Sequence, residues 1–148
     1  MDDVKTKLDA ALKEAMVSKD AKRRDVIRTL LSAIMQVKID TRKDVSPEDA
    51  VGILQKEAKK RRESIEEMDK AGRTDLSEQE KYELGLIESF LPQQLSRDEI
   101  TAIVRETIAQ TGVTSAKEMG KLMGALMPKV KGLADGKLVN EVVREALS

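Results

Sequence analysis

Two aromatic side chains, Tyr82 and Phe90, occur in this chain of 148 residues, and that scarcity constrains the fold more than any other feature of the sequence. The core has to be built from Leu, Ile, Val, Ala and Met. Half-buried strands rely on alternating β-branched and aromatic residues, and no such alternation is present. The apolar residues recur three and four apart instead, which places them on one face of a helix. The fold class read from the sequence is all-α.

Val4, Leu8, Ala11, Leu12 and Ala15 mark a first helix over 3–18. Asp20 can cap a second, about 21–39, whose Val26, Ile27, Leu30, Leu31, Ile34 and Val37 form a broad buried face. Ser46-Pro-Glu-Asp is a helix start, with Ser as N-cap, Pro in the first turn and two acids at the positive end of the dipole. The third helix runs from there to Ala71, where Gly72 supplies a left-handed stop. Its seam of Val51, Leu54, Ala58, Ile65 and Met68 is interrupted by Arg61. Ser77-Glu-Gln-Glu80 predicts a capping box for a fourth helix, which buries Tyr82, Leu86, Ile87 and Phe90 and ends at Pro92.

Pro92-Gln-Gln-Leu95 is the expected boundary, dividing an N-terminal four-helix unit, 1–92, from a C-terminal three-helix unit, 93–148. Ser96-Arg-Asp-Glu99 is a second capping box, and it starts a helix that buries Ile100, Ile103, Val104 and Ile108. Thr111-Gly112 stops that helix. Ser115-Ala-Lys-Glu118 reads as a third capping box, opening a helix that Pro128 is expected to kink or loosen and Gly132 to end. Asp135 caps the last helix, whose Leu138, Val139, Val142, Val143, Ala146 and Leu147 are expected to be buried.

Composition removes several functions. The 27 basic and 27 acidic residues cancel, and each half is near neutrality, with 19 basic against 20 acidic residues before Pro92 and 8 against 7 after it. A nucleic-acid surface must therefore be a local patch. With no cysteine and no histidine, there is no thiolate nucleophile and no imidazole base or metal ligand. The paired acids Asp2-Asp3, Glu66-Glu67 and Asp98-Glu99 lie at helix starts or on polar faces. No glycine-rich phosphate loop follows a strand, and no serine sits in a nucleophile motif. No catalytic residue, metal site or cofactor is expected. The polar start, Met-Asp-Asp-Val-Lys, is unlike a signal peptide, and no run of about 18 apolar residues is long enough to span a membrane. A soluble cytoplasmic protein without a membrane partner is the expectation.

The best functional clue is Ser115–Asn140. At about 100° per residue, Met119, Leu122, Met123, Leu126 and Val130 share one side of the helix. Lys117, Lys121, Gly124, Pro128 and Lys131 gather on the other, with Gly120 at the edge. Lysines a turn or more apart, with little side-chain bulk between them, suit a phosphate backbone. Lys129 and Lys137 would add contacts. The competing reading has the glycines admitting a second helix and the lysines as solvated surface. A second cluster, Lys59-Lys-Arg-Arg62, is ordinary charged surface except for Arg61, which needs an internal partner or must snorkel to water. The alternative is a groove lined by Arg61 and Arg62 with Arg23 or Arg24.

Several stretches together resemble YqeY-like proteins: Met119 to Asn140, Leu54-Gln-Lys-Glu-Ala-Lys-Lys-Arg-Arg-Glu-Ser64 with Lys70-Ala-Gly-Arg73, Phe90-Leu-Pro-Gln-Gln-Leu95, and Lys19-Asp-Ala-Lys-Arg-Arg-Asp-Val-Ile-Arg28. The likeness covers essentially the whole chain. The C-terminal unit is similar to the tail domain of GatB, the kinase-bearing component of the tRNA-dependent amidotransferase. That tail is a small helical domain that contacts tRNA away from the catalytic centre. In it a Lys-Gly turn precedes a Lys-Leu-Val-Asn helix start, matched here by Lys131, Gly132, Lys137, Leu138, Val139 and Asn140.

The resemblance implies that Lys117, Lys121, Gly124, Lys129, Lys131, Gly132, Lys137 and Asn140 face tRNA. The family is also credited with carbon–nitrogen ligase activity using glutamine as amide donor. The kinase and glutaminase centres of the amidotransferase have no counterpart in this chain. The expectation is thus a tRNA-binding accessory protein that is not a self-sufficient enzyme, with a possible protein partner in aminoacyl-tRNA metabolism and no DNA partner. The alternatives are a protein-interaction module working through the Arg61 seam or the methionine-rich helix, and a participant in glutamine-dependent amidation of mischarged tRNA together with other subunits.

Overall fold

A computed structural model describes residues 3–148. The helices, in order, are α1 (Val4–Val17), α2 (Ala21–Thr41), α3 (Pro47–Lys70), α4 (Thr74–Phe90), α5 (Arg97–Thr111), α6 (Met119–Val130), preceded by a single 3-10 turn (Ala116–Glu118), and α7 (Gly136–Leu147). No strand occurs among the described residues, and the protein is all-α. By its contacts the chain separates into two compact units, Met1–Pro92 and Gln93–Ser148.

Local chemistry sets most helix starts. Asp3 accepts a hydrogen bond from the Thr6 backbone N–H at 2.8 Å, and Asp20 accepts one from that of Arg23 at 3.1 Å. Ser46 accepts from the Asp49 N–H at 3.1 Å, with Pro47 filling the first helical position. At α5 the capping box is complete: Glu99 N–H reaches Ser96 Oγ at 3.2 Å, and Ser96 N–H reaches Glu99 Oε1 at 3.1 Å. Gly112 ends α5 at φ +73°, a left-handed conformation that a side chain would strain.

Two predicted starts are wrong. The reversal after α3 takes only Ala71–Arg73, with Gly72 at φ +72° and the Arg73 N–H bonded to Met68 O at 2.8 Å. The fourth helix therefore begins at Thr74, ahead of the expected Ser77 box. Ser77 lies a turn inside α4, fully buried, with its hydroxyl 2.9 Å from both Asp69 Oδ1 and the Thr74 carbonyl. Ser115 likewise makes no side-chain cap. A tighter 3-10 turn intervenes, and Glu118 reaches Thr114 instead, accepting from its hydroxyl at 3.2 Å and its N–H at 3.4 Å.

Two further expectations fall in the C-terminal unit. α6 continues through Pro128 to Val130, and Lys131 N–H closes on Met127 O at 2.8 Å. Proline removes one backbone donor, and so close to the helix end the turn holds without it. Ala146 is exposed: the last fully buried residue of α7 is Val143, and Ala146 lies beyond the end of that apolar cluster.

Each unit has its own core. In the first, Leu8, Ala11 and Ala15 of α1 meet Ile27 and Leu30 of α2, Leu54 and Ala58 of α3, and Ile87 and Phe90 of α4. The alanines stand where bulkier residues would separate the helices. In the second, Ile100 and Val104 of α5, Leu122, Leu126 and Val130 of α6, and Val139, Val142 and Val143 of α7 close around one another. Burying a leucine fully is worth about 1.5–3 kcal/mol.

Leu122→Ala is expected to cost roughly 2–5 kcal/mol, read from urea unfolding. The Ser96 backbone N–H, and after it the Ser96 hydroxyl, hold the Glu99 carboxyl below the ordinary glutamate range. Its stabilisation is fully present above the unfolded pKa of about 4.3 and is lost as pH falls through the lower folded value. Thermal melts from pH 6 to pH 3 should therefore fall less steeply for Glu99→Gln than for the parent.

Candidate nucleic-acid interface

Burial of Leu122, Leu126 and Val130 fixes the rotation of α6 about its axis. The opposite face is then bound to be outward, and Lys121, Gly124, Pro128 and Lys131 are all exposed, as are Lys117 on the 3-10 turn and Gly120. A methyl group built on Gly120 or Gly124 would meet nothing within 4 Å. Neither glycine therefore admits a second helix of its own unit, and the lysines beside them are solvated. Gly52 and Gly85 also face open space, but each has lysines on one side only, Lys56 and Lys59 after Gly52 and Lys81 before Gly85, with acids on the other. What marks α6 is bare backbone between cations.

The turn after α6 is held from outside its own sequence. Gln94 donates through Nε2 to the Gly132 carbonyl at 3.0 Å, and the Leu95 N–H donates to Leu133 O at 2.7 Å. Gly132 takes φ +79°, and Leu133 N–H closes on Val130 O at 2.9 Å. The segment just after Pro92 thus clamps the Lys131-Gly132 turn. Asp135 caps α7 through the Lys137 N–H at 3.4 Å, and Lys137 and Asn140 are both exposed in its first turns.

Electrostatics favour this face. Among the described residues none of Lys117, Lys121, Lys131 and Lys137 forms an ion pair. Most acids of the same unit have other partners: Glu99 and Asp135 in caps, Glu106 on Gln110, Glu118 on Thr114, and Glu141 and Glu145 on Arg97, the former at 3.3 Å. These four exposed lysines thus carry no direct carboxylate contact among the described residues.

Lys129 does not join them. Its ammonium donates to Thr107 Oγ1 at 3.0 Å and to Gln110 Oε1 at 2.8 Å, tying α6 to α5. Thr107, a fully buried polar residue, also donates to the Ile103 carbonyl at 2.7 Å. Sequence reasoning missed this strap, although Lys129 lies seven residues after Leu122, which returns it to the apolar side of the helix. It also missed Gln94 and Leu95, whose role depends on a turn 38 residues away.

The second cluster resolves differently. Arg61 is largely buried and bonded to Glu57 Oε2 at 2.7 Å and to Glu83 Oε1 at 3.4 Å, so it joins α3 to α4. Both carboxylates are themselves mostly shielded, which makes the pairing an internal requirement of the Arg61 charge. Arg62 is half-exposed without an ion pair among the described residues, and Arg24 pairs with its neighbour Asp25 at 3.0 Å. Arg61 is thus taken up by the pairing between α3 and α4, the internal partner that its place in the seam called for.

Fold and site together define an all-helical protein whose C-terminal three-helix unit presents exposed lysines along α6. The chain belongs to the YqeY-like protein family, whose model matches residues 5–147. It is 30% identical over 147 residues to altered inheritance of mitochondria protein 41, mitochondrial, of Pyrenophora tritici-repentis, covering 95% of this chain and 79% of the relative. The same-named protein of Lachancea thermotolerans is 40% identical over 83 residues, which is 55% of this chain and 44% of that protein. A third similarity, 48% identity over 48 residues, is to a glutamyl-tRNA(Gln) amidotransferase subunit of Thermococcus sibiricus, covering 32% of this chain and 8% of that protein. The expectation of a cytoplasmic protein is overturned by the fungal relatives, which are named as mitochondrial proteins.

Two substitutions separate the roles of α6. Gly124→Ala should stabilise the protein by about 0.5–1 kcal/mol, because alanine suits a helix interior better and its methyl meets open space. Lys129→Met should destabilise it, by about 1 kcal/mol for the lost hydrogen bonds, whereas Lys121→Ala should leave the urea midpoint unmoved.

Proposed function

We propose that this protein is a tRNA-binding accessory factor related to tRNA-dependent amidation, with Gln93–Ser148 as the RNA-contacting unit. The observation that carries the reading is the exposed α6 face, where unpaired Lys117, Lys121 and Lys131 surround Gly120 and Gly124, whose missing side chains leave open space. Lys137 and Asn140 extend it onto the start of α7. Phosphates can approach the helix backbone closely between the lysines, and contacts of this kind position an RNA without reading its sequence. The short similarity to an amidotransferase component whose name specifies glutamyl-tRNA(Gln) supports RNA of that class as the ligand. In this reading the amidation itself belongs to other subunits, and this chain holds the RNA. The Met1–Pro92 unit is a separate helical body in this scheme.

Each neutralised phosphate releases counterions, so four lysine contacts give a slope of roughly −3 to −4 in log K against log salt. Lys121→Ala with Lys131→Ala in the full chain should flatten that slope by roughly 1.5 to 2 and weaken tRNA binding at low salt. Filter-binding titrations at several salt concentrations read both quantities. Unchanged affinity and slope in this double variant would reject the α6 face as the RNA contact.

A further inference from the structure

The Met1–Pro92 unit carries a groove where the edge of its apolar core continues into exposed side chains. A cavity of about 570 Å³ opens between α1, the second half of α2 and the loop before α3, floored by Leu31, Ile34 and Val45. A second, of about 630 Å³, shares Met35, Lys38 and Asp44 with the first and continues past Ile39 to Lys43. The two adjoin along α2 through these shared residues, the second being the shallower and more open. From Leu31 to Arg42 the α2 residues that line them span about 16 Å, close to three helical turns.

The residues along it are unusual for a solvated face. Met35 is 50% and Ile39 60% exposed, four residues apart on the stripe that begins with Leu31. This apolar stripe extends further along α2 than the core of the unit covers. Methionine at its centre adapts to an irregular partner surface. The charges are also unbalanced. Lys38 pairs with Asp44 at 3.3 Å, while Lys5, Arg42 and Lys43 have no ion pair among the described residues, and Asp9 alone opposes them in the lining. These cations do not converge on one point. Lys5 lines only the first cavity, and Arg42 and Lys43 line only the second.

We propose that this groove receives an amphipathic helix of a partner protein, its apolar stripe on Met35 and Ile39 and acidic residues along its flanks. Apolar anchors at three-to-four spacing meet the floor, as in other helix-in-groove interfaces. Glutamates or aspartates on successive turns meet cations strung along the groove. A compact anion would use one of those cations and leave the groove unfilled. The site is separate in residues from the α6 face, and it stands whether or not that face binds RNA.

The test uses the full chain, labelled with 15N, and two synthetic helical peptides. Both carry Leu and Ile at three-four spacing over sixteen residues, one flanked by Glu and the other by Lys. The Glu-flanked peptide is expected to bind saturably, with shifts concentrated in residues 31–45, and at least tenfold more tightly than the Lys-flanked one. Met35→Asp with Ile39→Asp should weaken it at least tenfold, and so should Lys5→Glu with Lys43→Glu. Met35 and Ile39 are exposed, so circular dichroism should show an unchanged fold in the first pair. Equal affinity for the two peptides, shifts mapping elsewhere, or no binding by either at millimolar concentration would overturn the proposal. It would equally fall if the same residues instead governed self-association or binding to anionic phospholipid vesicles.

Discussion

Twelve residues of α6 have to satisfy two solvents at once. Leu122, Leu126 and Val130 are withdrawn from water against α5 and α7, and their spacing leaves no freedom in how the helix is rotated. The outward position of Lys121, Gly124 and Lys131 follows from that burial and needs no contact of its own. Lys129 then locks the rotation through Thr107 and Gln110. The clamp of Gln94 and Leu95 on the following turn sets where Lys131 leaves the helix and where α7 can begin.

The two units handle charge in opposite ways. In the first, the arginine that interrupts the apolar seam is neutralised internally by Glu57 and Glu83, and Lys22 lies over the ring of Tyr82 at 4.1 Å, joining α2 to α4. Such contacts use charge to hold helices together. In the second, the ion pairs gather on Arg97, with Glu141 and Glu145, and the lysines of α6 stand without one among the described residues. A surface salt bridge adds little stability, but the placement of the acids decides which lysines remain uncompensated.

Much of the helical framework was legible in the sequence because its causes are local. Ser46 with Pro47, the Ser96–Glu99 pair and the glycines at 72, 112 and 132 each act within a few residues of themselves, and the structure shows them at helix ends. The apolar stripes likewise gave the inward faces of α1, α2 and α6. The boxes at Ser77 and Ser115 misled because the same motif has a different meaning once a neighbouring turn is tighter than expected. Partners supplied by distant elements were not legible: Glu83 for Arg61, Thr107 for Lys129, and Gln94 for Gly132. At the lysine face, the pattern gave the residues sharing one side, but only the structure shows that Gly120 and Gly124 face open space.

Gly120, Gly124 and Pro128 also make α6 one of the weaker intrinsic helix formers in the chain, since each disfavours a helix interior on its own. Such a segment stays helical through tertiary burial rather than propensity. Its amides should then exchange with solvent by a local opening that separates Leu122, Leu126 and Val130 from their neighbours. The lysine array exists only in the closed state, because opening scatters the charges along a flexible strand. A polyanion bound to it would select the closed form and slow that exchange. The surface and the core beneath it would then share a single equilibrium.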